Sequence, residues 1–401
     1  MKLKAKPKIL MAMSGGVDSS VAALLMKQKG YEVVGAFMKN WSDTKDPITN
    51  ECSWREDRRM ALKIAAHLGI PLITLDFEKE YKKLVVDEMF KKYHKGITPN
   101  PDIDCNEKVK FPLLEKAAKK LKADFIVTGH YARIKKIVNS KNNSQVGVNN
   151  NRIKKKVSSV NSKYHSASDS EHYEYQLLRA KDESKDQSYF LYRLSQKDLS
   201  KSLFPIGDYT KKQIREIAQK NNFPNFNRKS TVGICFIGKV NLKKFLQKKI
   251  KPKQGKILNP EGKQIGTHDG IYYYTIGQRI GPRYGINIVK AKGKEKSMKK
   301  WYVAKKLQRT NTIIAAPENH PLNFRKEIIL KEAHWINRQQ KNNSKVLSRI
   351  RQVGELLPSI LKHSGNKYKI ILNKPITGVS EGQAIVLYQG TRVLGGGVIS
   401  F

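Results

Sequence analysis

The sequence predicts an α/β fold, with a helix-covered parallel sheet first and small β-rich units after it. Three observations predict it. Apolar runs alternate with amphipathic stretches through the first 130 residues; beyond Asn241 glycines become frequent and strands short; and 401 residues are too many for one ordinary domain, two or three being the natural expectation.

The elements follow in order. Residues 8–13 read as a strand, 17–29 as a helix closed by Gly30, and 32–38 as the next strand. Residues 55–68 form a helix ending at Gly69, followed by a strand at 72–77. Helical periodicity covers 80–93 and 108–121, and 124–128 reads as a further strand. From 135 to 173 the periodicity disappears: 22 of these 39 residues are Lys, Asn or Ser, which predicts a disordered insertion, an expanded surface loop. Order resumes at Tyr175. Thr210 and Gln213 have capping-box spacing and open a helix to about Gln219. Short strands at 266–270, 272–276, 301–303, 369–372, 384–388 and 393–399 suggest one or two small β domains or barrels.

A formal charge of +44 calls for a polyanionic partner, and phosphate backbones are the usual one. Lysine outnumbers arginine 61 to 17, however, and asparagine and isoleucine are plentiful, a bias that an AT-rich genome produces without any binding. The charge therefore predicts a basic surface and does not by itself establish nucleic-acid binding. Three cysteines exclude a disulfide framework, and none has zinc-like spacing to another cysteine or a histidine, so no structural metal is expected. No run approaches the roughly 20 apolar residues that span a bilayer. The basic start gives way at once to the apolar run 9–13, leaving no room for a signal or transit peptide, so a cytoplasmic protein without membrane partners is expected.

The sharpest local signal is Ser14-Gly-Gly-Val-Asp-Ser19, directly after a strand and directly before a helix. Two glycines let backbone N–H groups turn inward around an anion, and the helix N-terminus adds partial positive charge. Ser14 and Ser19 add donors, and Asp18 can help hold magnesium. It is not a Walker A loop, since no lysine follows the second glycine. Glycines alone would suit any tight strand-to-helix turn; the serines and aspartate in the first helical turn favour phosphate. The segment resembles the pyrophosphate (PP) loop of the adenine-nucleotide α-hydrolases, which cleave ATP between its α and β phosphates.

Two of the cysteines stand in suggestive contexts. Cys105 lies in a stretch, 98–106, with two prolines and two asparagines, which reads as a loop with an accessible thiol. Asp102, three residues upstream, is placed to act as acid or base. Cys235 sits in Gly233-Ile-Cys-Phe-Ile-Gly238, on its own an ordinary apolar segment. Cys52, beside Trp54, reads as structural or incidental.

Taken together, nine segments in order resemble the tRNA-specific 2-thiouridylases over nearly the whole chain. They begin at residues 13–20, 37–41, 98–106 and 128–133, continue through 185–191 and 233–238, and end at 274–279, 301–303 and 395–397. The resemblance implies a Rossmann-like PP-loop domain at 1–238, a small central β-rich domain at 239–306 and a C-terminal β-barrel at 307–401. It implies that ATP, with Mg2+, sits on Ala12, Met13, Ser14, Gly15, Gly16, Val17, Asp18 and Ser19, bounded by Met38 and Gly129. The 2-oxygen of the wobble uridine would be adenylated, releasing pyrophosphate. Cys235 matches the carrier of a persulfide sulfur supplied by a sulfur-relay protein or cysteine desulfurase. Cys105 matches the thiol that releases that sulfur, leaving a transient Cys105–Cys235 disulfide; in another order, free sulfide attacks the adenylated base. Asp102 would be the acid/base, with Asn100 and Pro101 lining the flipped uridine. His130, Lys185, Asp186, Gln187, Arg349, Ile350 and Gln383 match positions that touch tRNA, with lysine, glutamate and glutamine acceptors expected. Asp104, Ser230 and Ile350 depart from the family pattern, which usually has an apolar residue, an aspartate and an aromatic there.

Two other readings are weaker. Other PP-loop pyrophosphatases, such as GMP, NAD or lysidine synthetases, do not need cysteines in these two segments. A non-catalytic tRNA-binding protein would be favoured had Ser14, Asp18 or either cysteine been lost, and all are present.

Overall fold

The computed structural model describes residues 6–43, 52–139, 172–229, 241–281 and 300–401. Strands β1 (Lys8–Ala12), β2 (Glu32–Lys39), β3 (Leu72–Asp76) and β4 (Phe125–Val127) pair in parallel, as the alternation of strands and helices predicts. Each strand residue sends its side chain to the face opposite its neighbour's, and both faces are covered. Ile9, Met11, Val33 and Phe37 pack under helices α1 (Val17–Gln28) and α2 (Ser53–Leu68). Leu10, Ala12, Val34, Ala36 and Met38 pack on the other side, in one core with Tyr93, Cys105, Val109 and Leu114. Gly69 ends α2 in the left-handed conformation, φ +59°, as its position in the sequence predicts.

After β4 the chain makes an antiparallel hairpin, β5 (Ala132–Asn139) and β6 (His172–Arg179). Pairing extends to Asn139 and His172, so residues 135–139 and 172–173 are strand where disorder is expected from composition. Ladder hydrogen bonds and the burial of Leu177 outweigh the polar composition there. Residues 140–171 lie outside the described residues. β7 (Ser202–Leu203) then joins β4, giving the order β3-β2-β1-β4-β7. The chain runs outward from β1 to β3 and returns on the other side at β4, so the switch point lies at the carboxyl ends of β1 and β4, where open α/β sheets bind ligands.

A second sheet contains β8 (Gly255–Leu258), β9 (Gln264–His268), β10 (Arg279–Ile280), β11 (Trp301–Leu307) and β12 (Thr312–Pro317), in the order β10-β11-β12-β8-β9. The strand expected at 272–276 is absent. Ile271–Tyr273 instead form a 3-10 turn, because Gly270 at φ +136° folds the chain back under the Tyr272 ring. The hydroxyls of Tyr272 and Tyr273 donate to the carbonyls of Lys251 and Ile250.

The third unit is a closed barrel of six antiparallel strands: β13 (Phe324–Trp335), β14 (Ser344–Arg349), β15 (Leu357–Ser364), β16 (Lys367–Thr377), β17 (Ala384–Gln389) and β18 (Arg392–Ser400). β18 pairs back with β13, which removes the free edges. It also meets β6 at Arg392–Leu178, so the hairpin of the first unit is carried on the barrel wall.

Candidate active site

The loop after β1 is shaped by its glycines. Gly15 has φ +76°, and a Cβ there would stand 2.3 Å from the Asp57 carbonyl oxygen. Gly16 is the N-cap of α1 and supplies no side chain, so it offers no side-chain oxygen to cap the first-turn N–H groups. The start of this 12-residue helix, at a switch point, can receive an anion. The two serines converge there: Ser14 and Ser19 hydroxyls lie 3.3 Å apart, and the Ser14 N–H donates to Ser19 Oγ at 3.2 Å. Gly129, just beyond β4, packs on the same turn; a Cβ there would stand 2.8 Å from the Ser19 nitrogen.

Four further side chains, which no local pattern marks, surround this loop. Lys211 Nζ and the Tyr131 hydroxyl both donate to Asp18 Oδ1, at 2.6 and 2.8 Å. Burial and the neighbouring Asp18 carboxylate push the Tyr131 phenol well above its ordinary range. Asn225, almost wholly buried, donates to the Gly15 carbonyl at 2.9 Å and to Ser20 Oγ at 3.0 Å. Arg228 donates to the same carbonyl at 3.3 Å and to Asp57 at 2.7 Å. Burial raises the Asp57 carboxyl against the pull of that guanidinium.

Cys105 corrects the expectation of an accessible loop thiol. Residues Pro101–Cys105 are helical and continue through a wider turn, Asn106–Lys110, into the helix Phe111–Lys120. Proline and asparagine here mark a helix start: Pro101 occupies the first turn, and the Asn100 side chain accepts from the Ile103 N–H at 3.4 Å. Cys105 is 0% exposed, in the same core as Ala12, Met38 and Trp41. Asp102 is half-buried in the first turn. Asp104 is balanced by Lys108 at 2.6 Å and Lys92 at 3.5 Å, so the carboxylate beside Cys105 is neutralised on its own side of the helix. Cys235, Ser230 and the segment 233–238 lie outside the described residues.

The barrel reaches this helix directly. The Gln383 amide donates to the carbonyls of Thr98 and Pro99, at 3.0 and 2.8 Å, and the Thr98 N–H donates to the Glu381 carbonyl. A Cβ on Gly382 would stand 2.2 Å from Ile97 Cγ2. The central unit adds Thr275, whose hydroxyl lies 3.3 Å from that of Thr98.

His130 packs in a triangle of rings with Phe111 and Phe204, stacked on the first and edge-on to the second, with all three centroid distances between 5.9 and 6.2 Å. Its Nε2 accepts from the Lys110 ammonium at 3.4 Å, so Nδ1 carries the proton and donates to Thr128 Oγ1 at 2.7 Å. Burial first, and the Lys110 charge second, push the imidazole well below 6.5, which keeps it neutral. Lys185 is exposed. Asp186, Arg349 and Ile350 are 1%, 5% and 4% exposed, so their side chains face the protein interior. Arg349 Nη1 pairs with Asp186 Oδ2 at 2.8 Å.

Asn40, just beyond β2 and two residues after Met38, is 1% exposed, and among the described residues neither of its amide atoms has a hydrogen-bond partner. Among the described residues no other side chain leaves two buried polar atoms unmatched.

Family models match the chain in three blocks: a tRNA methyl transferase HUP domain over residues 7–239, a tRNA methyl transferase PRC-barrel domain over 243–317, and an aminomethyltransferase beta-barrel domain over 325–399. Among its relatives is the tRNA-specific 2-thiouridylase MnmA of Flavobacterium johnsoniae, 37% identical, with 98% of this chain and 100% of that protein covered. The tRNA-specific 2-thiouridylase MnmA 1 of Geobacillus kaustophilus is 38% identical, covering 98% and 95%. The MnmA of Coxiella burnetii is also 38% identical, again covering 98% and 95%.

Proposed function

The chain belongs to the tRNA-specific 2-thiouridylase family, and from that premise we propose that it thiolates the wobble uridine of tRNA at the expense of ATP. The nucleotide's phosphates would lie on residues 12–19, with the adenine and ribose against Met38 and Gly129. The uncapped start of α1, the two serine hydroxyls, Lys211 and Arg228 suit a polyphosphate. Mg2+ would enter on those phosphates, sharing Asp18 with Lys211 and Tyr131.

The chemistry answers a definite difficulty. The C2 carbonyl of uridine resists a sulfur nucleophile because its oxygen leaves poorly. Attack of that oxygen on the α phosphorus expels pyrophosphate and turns the oxygen into part of an AMP leaving group. The outer sulfur of a Cys235 persulfide then attacks C2 and AMP departs. Attack of the Cys105 thiolate on the Cys235 sulfur cleaves the S–S bond, with its electron pair passing to the transferred sulfur. The Cys105–Cys235 disulfide that results needs an external thiol for reduction. Asp102 would move the protons, and Asn100 and Pro101 would line the flipped base, which an anticodon loop can present without melting a duplex. A sulfur-relay protein or cysteine desulfurase would reload Cys235.

The observation that carries this reading is the common core beneath the switch point: Ala12 beside the phosphate loop, Met38 and Cys105 belong to one packed cluster. The test is incubation with ATP, unmodified tRNA and a persulfide donor, followed by mass spectrometry of the nucleosides. AMP, pyrophosphate and 2-thiouridine in equal amounts are expected. AMP without sulfur would indicate another PP-loop pyrophosphatase, and neither product a tRNA binder.

A further inference from the structure

The turn at residues 180–188 joins the barrel to the phosphate loop. On the barrel side, Asp186 is wholly buried and fully engaged. Its Oδ1 accepts from the N–H groups of Ala180 and Ser188, at 3.0 and 3.2 Å, and its Oδ2 from the Ser188 hydroxyl at 3.0 Å and Arg349 at 2.8 Å. Arg179 stands 3.6 Å away, and the Gln352 amide donates to the Asp186 carbonyl at 3.2 Å.

On the nucleotide side, Gln187 holds Tyr131 twice: its N–H donates to the Tyr131 carbonyl at 2.8 Å, and its Oε1 accepts from the Tyr131 N–H at 2.9 Å. The Tyr131 hydroxyl reaches Asp18 in the first turn of α1. The same turn returns to Asp18 by a second route, because Asp182 accepts from the backbone N–H of Lys211 at 2.8 Å and Lys211 Nζ pairs with Asp18. The outer face of the turn, with Lys181 and Lys185, and the adjoining Arg351 are exposed.

A buried ion pair is a poor source of net stability, since desolvation offsets most of its attraction, but it fixes one geometry sharply. Here it fixes an exposed basic turn against the barrel, and an unbroken hydrogen-bonded path leads from that turn to the phosphate loop. We propose that Asp186 and Tyr131 are positioning residues that couple the seating of tRNA on the 181–185 turn to the shape of the ATP loop, so that nucleotide and tRNA bind with positive cooperativity. The inference rests on the functional reading above. It also gives Asp186 and Arg349 an internal role: they hold the surface that RNA meets.

The test measures the affinity of the full chain for α,β-methylene-ATP by calorimetry, alone and with saturating unmodified tRNA, and the affinity for tRNA with and without that analogue. In the unaltered protein tRNA tightens analogue binding at least about fivefold, and by linkage the analogue tightens tRNA binding by the same factor. Tyr131→Phe, which removes one hydroxyl, brings both ratios to about one while leaving tRNA affinity without nucleotide within about twofold. Asp186→Asn, where it folds, does the same to the ratios. The inference is overturned by ratios near one in the unaltered protein, or by undiminished ratios in Tyr131→Phe. Failure to bind either ligand overturns the functional reading itself, which the separate single-ligand titrations reveal.

Discussion

Gln383 of the barrel donates its side-chain amide to the Pro99 carbonyl at 2.8 Å, two residues before the helix that carries Cys105 begins at Pro101. The same amide holds the Thr98 carbonyl, so a residue nearly three hundred positions away sets the entry to the candidate catalytic helix. Gln383→Glu would replace a donor to two carbonyls by a carboxylate that repels them. Leaving such acceptors unsatisfied costs about 1–3 kcal/mol each. The expected result is a fall in the thiolation rate of about tenfold or more with an unchanged far-ultraviolet circular dichroism spectrum; a rate within twofold of the unaltered protein would show that the contact is dispensable.

Burial of Cys105 predicts a slow thiol. Cys52 is half-buried, whereas Cys105 has no exposed surface. Without ligands, iodoacetamide should therefore modify Cys105 at least about tenfold more slowly than Cys52, because each 1.4 kcal/mol of opening free energy costs that factor. ATP and tRNA together should accelerate labelling of Cys105, as the proposed attack requires an uncovered thiol. Peptide mass spectrometry over time measures both rates, and equal rates without ligand would contradict the burial of Cys105.

Asn40 predicts a trade between stability and binding. Its amide is buried without a partner among the described residues, an arrangement that costs about 1–3 kcal/mol. Asn40→Leu, of similar volume, should raise the unfolding free energy by about 1–2 kcal/mol. If that amide serves a bound base beside Met38, the same change should weaken α,β-methylene-ATP at least about tenfold. Urea titration and calorimetry decide the point, and a variant that is more stable with unaltered affinity would leave Asn40 without a binding role.

His130 predicts acid lability. Its folded-state pKa lies well below 6.5, so on acidification the unfolded chain takes up a proton that the folded chain refuses. The stability contribution is fully present above about pH 6.5 and is lost as the pH falls towards the folded value. His130→Gln, which cannot charge, should lose less stability between pH 7.5 and 5.5, by up to about 1.4 kcal/mol for each pH unit below 6.5. Urea denaturation at the two pH values gives the difference; parallel losses in both proteins would mean that His130 takes up its proton as readily in the folded chain as in the unfolded one.

Local patterns in the sequence carried much of the fold and one half of the site. Alternating apolar runs predicted the parallel sheet, and Thr210 with Gln213 predicted a capping box in which both hydrogen bonds are present. Gly15 and Gly16 after β1 mark the tight turn into α1, the candidate phosphate loop. Structure and sequence pattern part where one residue type serves two purposes. Pro101 and Asn100 are as suited to starting a helix as to making a loop, and the tyrosines at 272–274 form a buried turn although tyrosine also favours strands.

What the sequence by itself determined, then, are features whose hydrogen bonds and packing repeat over a few residues: strand and helix periodicity, caps, and the glycine turn between β1 and α1. Only the tertiary structure decided the burial of Cys105, the pairing of Asp186 with Arg349, the grip of Gln383 on residues 98–99, and the Lys211–Tyr131 embrace of Asp18. These contacts join positions far apart in the chain. Their energies depend on which surfaces meet after folding, and no short stretch of sequence encodes that meeting.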